Sequence, residues 1–272
     1  MSSENAIGVF DSGLGGLTAV KEFLRVLPHE KIIYFGDTGR VPYGTRSRDT
    51  IKKYAVQDAG FLLRHKVKMV VAACGTVSSV AGELLREQLP VPYTGVVNPT
   101  AYTAVRVTRN KRVGVIGTAA TVNSHSYRLR LNKLDPTIQV FEQACPLFVP
   151  LVENGIINHH DIITMSVVAR YLSPLRENGV DTLILGCTHF PLLREAVSDF
   201  MGKGVRLIDS GLETAVYAAK VLEREHLLSR RYETPQPEFF VSDTPDGFKS
   251  VAGLFLGRDM EHAVTQIDIE AY

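Results

Sequence analysis

The chain has 272 residues, 45% of them hydrophobic and 22% charged, with a net charge of +1 and no long run of one sign. That length holds one large α/β domain or two smaller ones with their own cores, and that charge argues against nucleic acid or an anionic membrane as the main partner. Three cysteines without a CxxC spacing fit a reducing cytoplasm, the polar start MSSENA has no signal-peptide plan, and no apolar stretch nears the roughly 18 residues needed to span a bilayer.

Ala6–Asp11 reads as a short apolar strand and Ser12–Gly16, SGLGG, as a tight glycine turn. Leu17, Val20, Leu24 and Leu27 then recur at helical spacing until Pro28 stops them. Lys31–Phe35 is the second strand and leads into the polar, glycine-rich loop GDTGRVPYG. Ser47 to His65 predicts a helix with Ile51, Tyr54, Ala55, Phe61 and Leu62 inward. Met69 to Ala73 is an apolar strand that ends at Cys74. Small and polar residues follow, and a helix runs to about Gln88. Tyr93–Val97 makes a fourth strand.

Near Pro99 the pattern restarts. Arg112–Gly117, RVGVIG, is a strand followed by the polar turn TAATVNS. GVFDSG at 8–13 matches GVIGTA at 114–119, which aligns Asp11 with Gly117 and Ser12 with Thr118. Ile138–Glu142 comes next, then ACPLFVPLVENG and a helix over 160–177. Thr182–Pro191, TLILGCTHFP, repeats the earlier pattern: an apolar run ends at Cys187, with Thr188, His189 and a helix-opening Pro191 behind it. Val205–Asp209 and a helix into the 220s follow, then a charged surface connection, Glu223–Pro237. Phe239–Ser242 and Ala263–Ile267 are the last strands, around a helix near 246–255.

Strands alternate with helices throughout, so the fold class is α/β, with mainly parallel sheets covered on both faces. The chain reads as two similar halves, each with one cysteine at an equivalent strand end. Such sheets bind ligands beyond the carboxyl ends of their strands. Asp11, Asp37, Cys74, Thr118, Cys187 and Asp209 stand there.

A lone cysteine is more often a small buried apolar residue than a reactive one. A thiol at a helix N-terminus, however, is pulled toward thiolate by the dipole, and both Cys74 and Cys187 hold that place in the sequence. Cys145, in ACPLF, has no such context and reads as structural. A metal site would need paired ligands at short spacing, which Cys74 lacks. A disulfide would need α-carbons within about 7 Å and an oxidising compartment. The third option is a pair of acid–base thiols on opposite faces of one carbon, one removing a proton and the other returning one. Asp11 and His189 would then assist the thiols, although Asp11 also suits a turn and His189 a helix cap. Glu153 is a partner for His189 or a surface glutamate. SGLGG lacks the lysine and spacing of a P-loop and reads as a backbone cradle for a carboxylate.

GVFDSGLGGLT, GDTGRVPYG, AACGTVSS and LGCTHFPLL, in this order and spacing, resemble the cofactor-independent aspartate/glutamate racemase family, in its glutamate-specific branch. The resemblance covers nearly the whole chain. It implies two pseudosymmetric doubly wound domains with the active site in the cleft between them, bounded here as 1–97 plus 209–272 and 98–208. It implies interconversion of L- and D-glutamate for peptidoglycan synthesis in the cytoplasm, without a cofactor or metal. The partner is a small amino acid, not nucleic acid or membrane, and a homodimer is the assembly considered. By motif, Cys74 and Cys187 are the proton donor/acceptors, helped by Asp11 and His189. Ser12, Tyr43, Gly44, Gly75, Thr76 and Thr188 contact substrate with Asp11 and His189, and Glu153 and Thr118 support them. Aspartate or another small amino acid is the second candidate substrate. A non-catalytic amino-acid-binding relative and a Cys–His acyl-transfer enzyme built on Cys187 and His189 are the competing functions.

One position departs from the family. Asn usually follows the first cysteine, and this chain has Gly75. The expectation is a lost amide contact, weak glutamate turnover, and a gain on Gly75→Asn.

Overall fold

The computed structural model describes residues 2–257 and 263–272. Its first unit starts with β1 (Ile7–Asp11), the glycine turn and α1 (Leu17–Val26). β2 (Ile32–Gly36) and α2 (Arg48–Arg64) follow; Ser47 caps α2 by accepting from the Thr50 N–H at 3.2 Å. β3 (Met69–Ala72) leads to α3 (Gly75–Val80) and α4 (Gly82–Gln88), two helices where one was expected, broken at Ala81. β4 (Tyr93–Gly95) is shorter than anticipated. Val97 instead opens α5 (Val97–Val107), a helix hidden from sequence reading by the Pro99 in its first turn.

β5 (Arg112–Gly117) begins the second unit. The expected polar turn is helical, as α6 (Ala119–Asn123), capped by Thr118; α7 (Ser126–Leu134) follows where no element was expected. β6 (Gln139–Ala144), α8 (Phe148–Glu153) and α9 (Ile162–Glu177) precede β7 (Thr182–Leu185). A single 3-10 turn, Phe190–Leu193, then leads into α10 (Arg194–Met201), β8 (Arg206–Asp209) and α11 (Ser210–Arg224). β9 (Glu238–Val241), α12 (Pro245–Leu256), β10 (Val264–Gln266) and a 3-10 turn, Ile269–Ala271, close the described chain.

Two parallel sheets result. One runs β10-β9-β2-β1-β3-β4 and the other β6-β5-β7-β8. Four strands of each share the order 2-1-3-4, so β1 corresponds to β5 and β3 to β7, as the faint repeat GVFDSG/GVIGTA implies. β1 and β3 pair from Ile7↔Met69 to Phe10↔Ala72, and β5 and β7 from Val113↔Thr182 to Ile116↔Leu185. In both sheets the strand order reverses at the central strand, which opens a crevice beyond its carboxyl end. Cys74 follows β3 and Cys187 follows β7, so the two thiols occupy the same place in two copies of one plan. The central strands are apolar because helices cover both faces: every residue of β1, β2 and β3 is buried.

Candidate active site

The carboxyl ends of the two sheets face one another. Thr18 Oγ1 donates to the Thr188 carbonyl at 2.8 Å, Thr76 and Thr118 hydroxyls meet at 3.0 Å, and Ser79 and Ser126 hydroxyls at 2.8 Å. Each of these pairs joins one unit to the other. Gly15 lies under the second unit so closely that an added Cβ would sit 2.2 Å from Thr188 Oγ1 and 2.5 Å from His189 Nδ1. The SGLGG turn therefore uses its glycine to admit a neighbouring backbone and ring.

Each sulfur has its own polar companions. Cys74 Sγ lies 3.3 Å from the Ser12 hydroxyl, at the end of β1. Asp11, 1% exposed, accepts from the Gly16 N–H at 2.8 Å through Oδ2; its Oδ1 is buried without a hydrogen bond of ordinary geometry. Cys187 Sγ lies 3.9 Å from His189 Nδ1, and His189 Nε2 reaches Glu153 at 3.0 Å. The ring of Phe255, from α12, packs edge-on against His189 with centroids 5.2 Å apart. Sequence spacing alone does not join Glu153 to His189. The end of α8, beside the turn after β7, does.

Comparison with known proteins identifies the family. Residues 17–218 match the Asp/Glu/Hydantoin racemase family model. The chain belongs to that family. A glutamate racemase from Geobacter metallireducens is 46% identical over 98% of this chain and 97% of its own length. The structure of Francisella tularensis glutamate racemase in complex with D-glutamate superposes with a TM-score of 0.91 at 38% identity, covering 99% of this chain and all of that one. That of the Thermus thermophilus glutamate racemase, in complex with β-chloro-D-alanine, gives 0.89 at 41% identity and covers both chains fully.

The electrostatics of this racemase differ from the sequence expectation at Cys74. Burial pushes the thiol up to about 12, and the Asp11 charge adds to it; the Ser12 hydroxyl and the Val77 N–H only partly offset this. The expected lowering by a helix dipole fails because α3 has just six residues and the sulfur is buried. Cys187 has no helix at its back, since only the 3-10 turn follows it, from Phe190. Burial also raises the Asp11 carboxyl, against the Gly16 N–H and the His189 charge. For His189, burial opposes protonation, but hydrogen bonds to Cys187 and Glu153 and the charges of Cys187 and Asp11 outweigh it and lift the ring to about 10. At neutral pH the first side of the cleft thus holds a thiol and the second an imidazolium.

Other expected site residues sort differently. Tyr43 is 1% exposed and its hydroxyl is engaged by Asp37 and, at 3.1 Å, by Asp58. Gly44 stays at the seam, where an added Cβ would lie 3.1 Å from Thr118. Arg40 ties Asp37 at 2.6 Å and Asp58 at 2.9 Å, which anchors the loop that carries Gly44. Sequence reading missed Arg40 and Asp58. The signal was an aspartate on the apolar face of α2, seven residues after Ile51. Asp209, at the end of β8, is spent capping α11 through the Gly211 and Leu212 N–H groups. Cys145 is buried in the apolar core and its thiol donates to the Gln143 carbonyl at 3.6 Å.

Gly75 reverses its expectation. Its backbone is not in the left-handed region, and a Cβ added there would lie 2.0 Å from the Gly186 carbonyl oxygen. A side chain at 75 therefore requires one of the two backbones to shift, and the outcome we expect of Gly75→Asn is a loss of activity rather than a gain.

Proposed function

We propose that this racemase interconverts L- and D-glutamate by two-thiol proton transfer. One cysteine, as thiolate, removes the α-proton from one face. The electron pair left on carbon delocalises into the substrate carboxylate, and the thiol of the other cysteine donates its proton to the opposite face. One S–H forms and one breaks, so each turnover leaves the pair exchanged and the net charge unchanged. The observation that carries this reading is the pairing of equivalents: Cys74 after β3 with Ser12 and Asp11, Cys187 after β7 with His189 and Glu153, at the ends of facing sheets. The Cys74 thiol is poised as donor, and Asp11 is placed to move its proton. Ser12, Gly44, Gly75, Thr76, Thr118, Thr188 and His189 are the proposed surroundings of the substrate; Tyr43 enters only through its backbone. The chemistry uses side chains alone and needs no cofactor.

The proposed units are 1–97 plus 209–272 and 98–208. We place the reaction in the cytoplasm, supplying D-glutamate for peptidoglycan; no helix among the described residues is long and apolar enough to cross a membrane. The test is incubation with L-glutamate, and separately L-aspartate, in deuterated water. Loss of optical activity with exchange of the α-proton on glutamate is the expected result. Faster racemisation of aspartate would move the assignment to the shorter substrate, and exchange without racemisation would refute the two-face mechanism.

A further inference from the structure

Gly75 directly follows the first thiol and Gly186 directly precedes the second. Their backbones touch across the seam: the direction a Cβ would take from Gly75 ends 2.0 Å from the Gly186 oxygen and 3.2 Å from its carbonyl carbon. On this chain's backbone a glycine hydrogen points at that oxygen, and a Cβ there forces one of the two backbones to shift. The Gly186 carbonyl has little room to retreat. Its own N–H donates to the Ile116 carbonyl at 2.8 Å on the central strand of the second sheet, and a Cβ at Gly186 would meet that same oxygen at 2.7 Å. Tyr127 closes the space on the same side, 3.2 Å from that Cβ position. Gly75 itself is held as the first residue of α3, with Ser78 N–H bonded to the Cys74 carbonyl at 2.9 Å. Neither side of the contact is a flexible side chain.

We propose that the Gly75–Gly186 backbone contact is the stop that sets the separation of Cys74 and Cys187, which makes Gly75 a positioning residue for the two-thiol reaction. This rests on the function proposed above. Any side chain at 75 moves the second sheet's cysteine outward by about 1 Å, and a misplacement of that size costs roughly a hundredfold in a reaction that needs near-attack geometry. The loss falls on racemisation, which needs both sulfurs on one carbon. It falls much less on elimination of chloride from β-chloroalanine, which needs one base: the α-proton goes to a single sulfur and the electron pair expels chloride.

The experiment compares Gly75→Ala with the unmodified protein in three measurements. Racemisation kcat should fall about a hundredfold, with KM changed less than about threefold. Chloride elimination should fall at least tenfold less than racemisation. Cross-linking of Cys74 to Cys187 by dibromobimane, read by fluorescence and peptide mass spectrometry, should slow at least tenfold, while single-site alkylation of each cysteine is unchanged. Unchanged racemisation and cross-linking would overturn the proposal. So would equal loss of both reactions, or a variant that no longer shows a cooperative melt, since either assigns the contact to folding. If the unmodified protein racemises no amino acid, the functional reading has failed, and the cross-linking rates alone still decide the spacing role.

Discussion

Replacing Asp11 by asparagine should make Cys74 more reactive and the enzyme less active. The substitution keeps the fold, because an amide oxygen can still accept from the Gly16 N–H that Oδ2 now holds at 2.8 Å. It removes a negative charge that stands second only to burial in raising the Cys74 thiol to about 12. At pH 9 a thiol at that value is thiolate in about one molecule in a thousand. A unit charge within roughly 4–6 Å acts with about 3–4 kcal/mol at an effective dielectric near 20. Solvent in the cleft trims this, yet a third of it multiplies the thiolate population about five- to tenfold. Iodoacetamide labelling at pH 9, with Cys74 followed by peptide mass spectrometry, should therefore accelerate about five- to tenfold in Asp11→Asn. Racemisation should fall by roughly two to four decades, the usual worth of a positioned proton-transfer group. Labelling that is unchanged or slower would refute the assignment of Asp11 as the charge that holds Cys74 protonated, and undiminished racemisation would remove it from the proton path.

Cys74→Ser and Cys187→Ser should each abolish racemisation of glutamate, while one of them keeps chloride elimination from each enantiomer of β-chloroalanine; Cys145→Ser should stay within about threefold of the unmodified rate, and a comparable loss there would overturn its structural role. The His189 ring is raised from 6.5 to about 10, so the stability it contributes is complete below about 6.5 and disappears as pH rises through about 10. Its imidazole titration, followed by NMR, should move to lower pH in Glu153→Gln, and no movement would remove Glu153 from its support. Racemisation should be bell-shaped in pH, its limbs belonging to the coupled thiols together, and a flat profile from pH 6 to 10 with chemistry rate-limiting would count against thiol bases. Arg40→Met leaves Asp37 and Asp58, both fully buried, without their cation. We expect a loss of about 3–5 kcal/mol in urea unfolding, and a loss under 1 kcal/mol would show that one carboxyl is already neutral.

Local sequence dictated the alternation of strands and helices, the repeat that makes β5 a second β1, and the pairing of Cys74 with Cys187. Apolar runs, turn glycines and motif spacing are written along the chain, so these features need no knowledge of packing. The same local reading lost α5, α6 and α7, because Pro99 and the polar stretch around Thr118 resemble turns until packing against the second sheet fixes them as helices. What each residue does at the seam came from packing in three dimensions. Burial overrode the helix dipole at Cys74 and Tyr43 turned its hydroxyl to Asp37 and Asp58, while Glu153 reaches His189 as the motif resemblance implied. Gly75 shows the limit most clearly. Along the chain it reads as a missing amide, and only the Gly186 carbonyl, 111 residues away in sequence, shows that the place of the side chain is already taken by backbone.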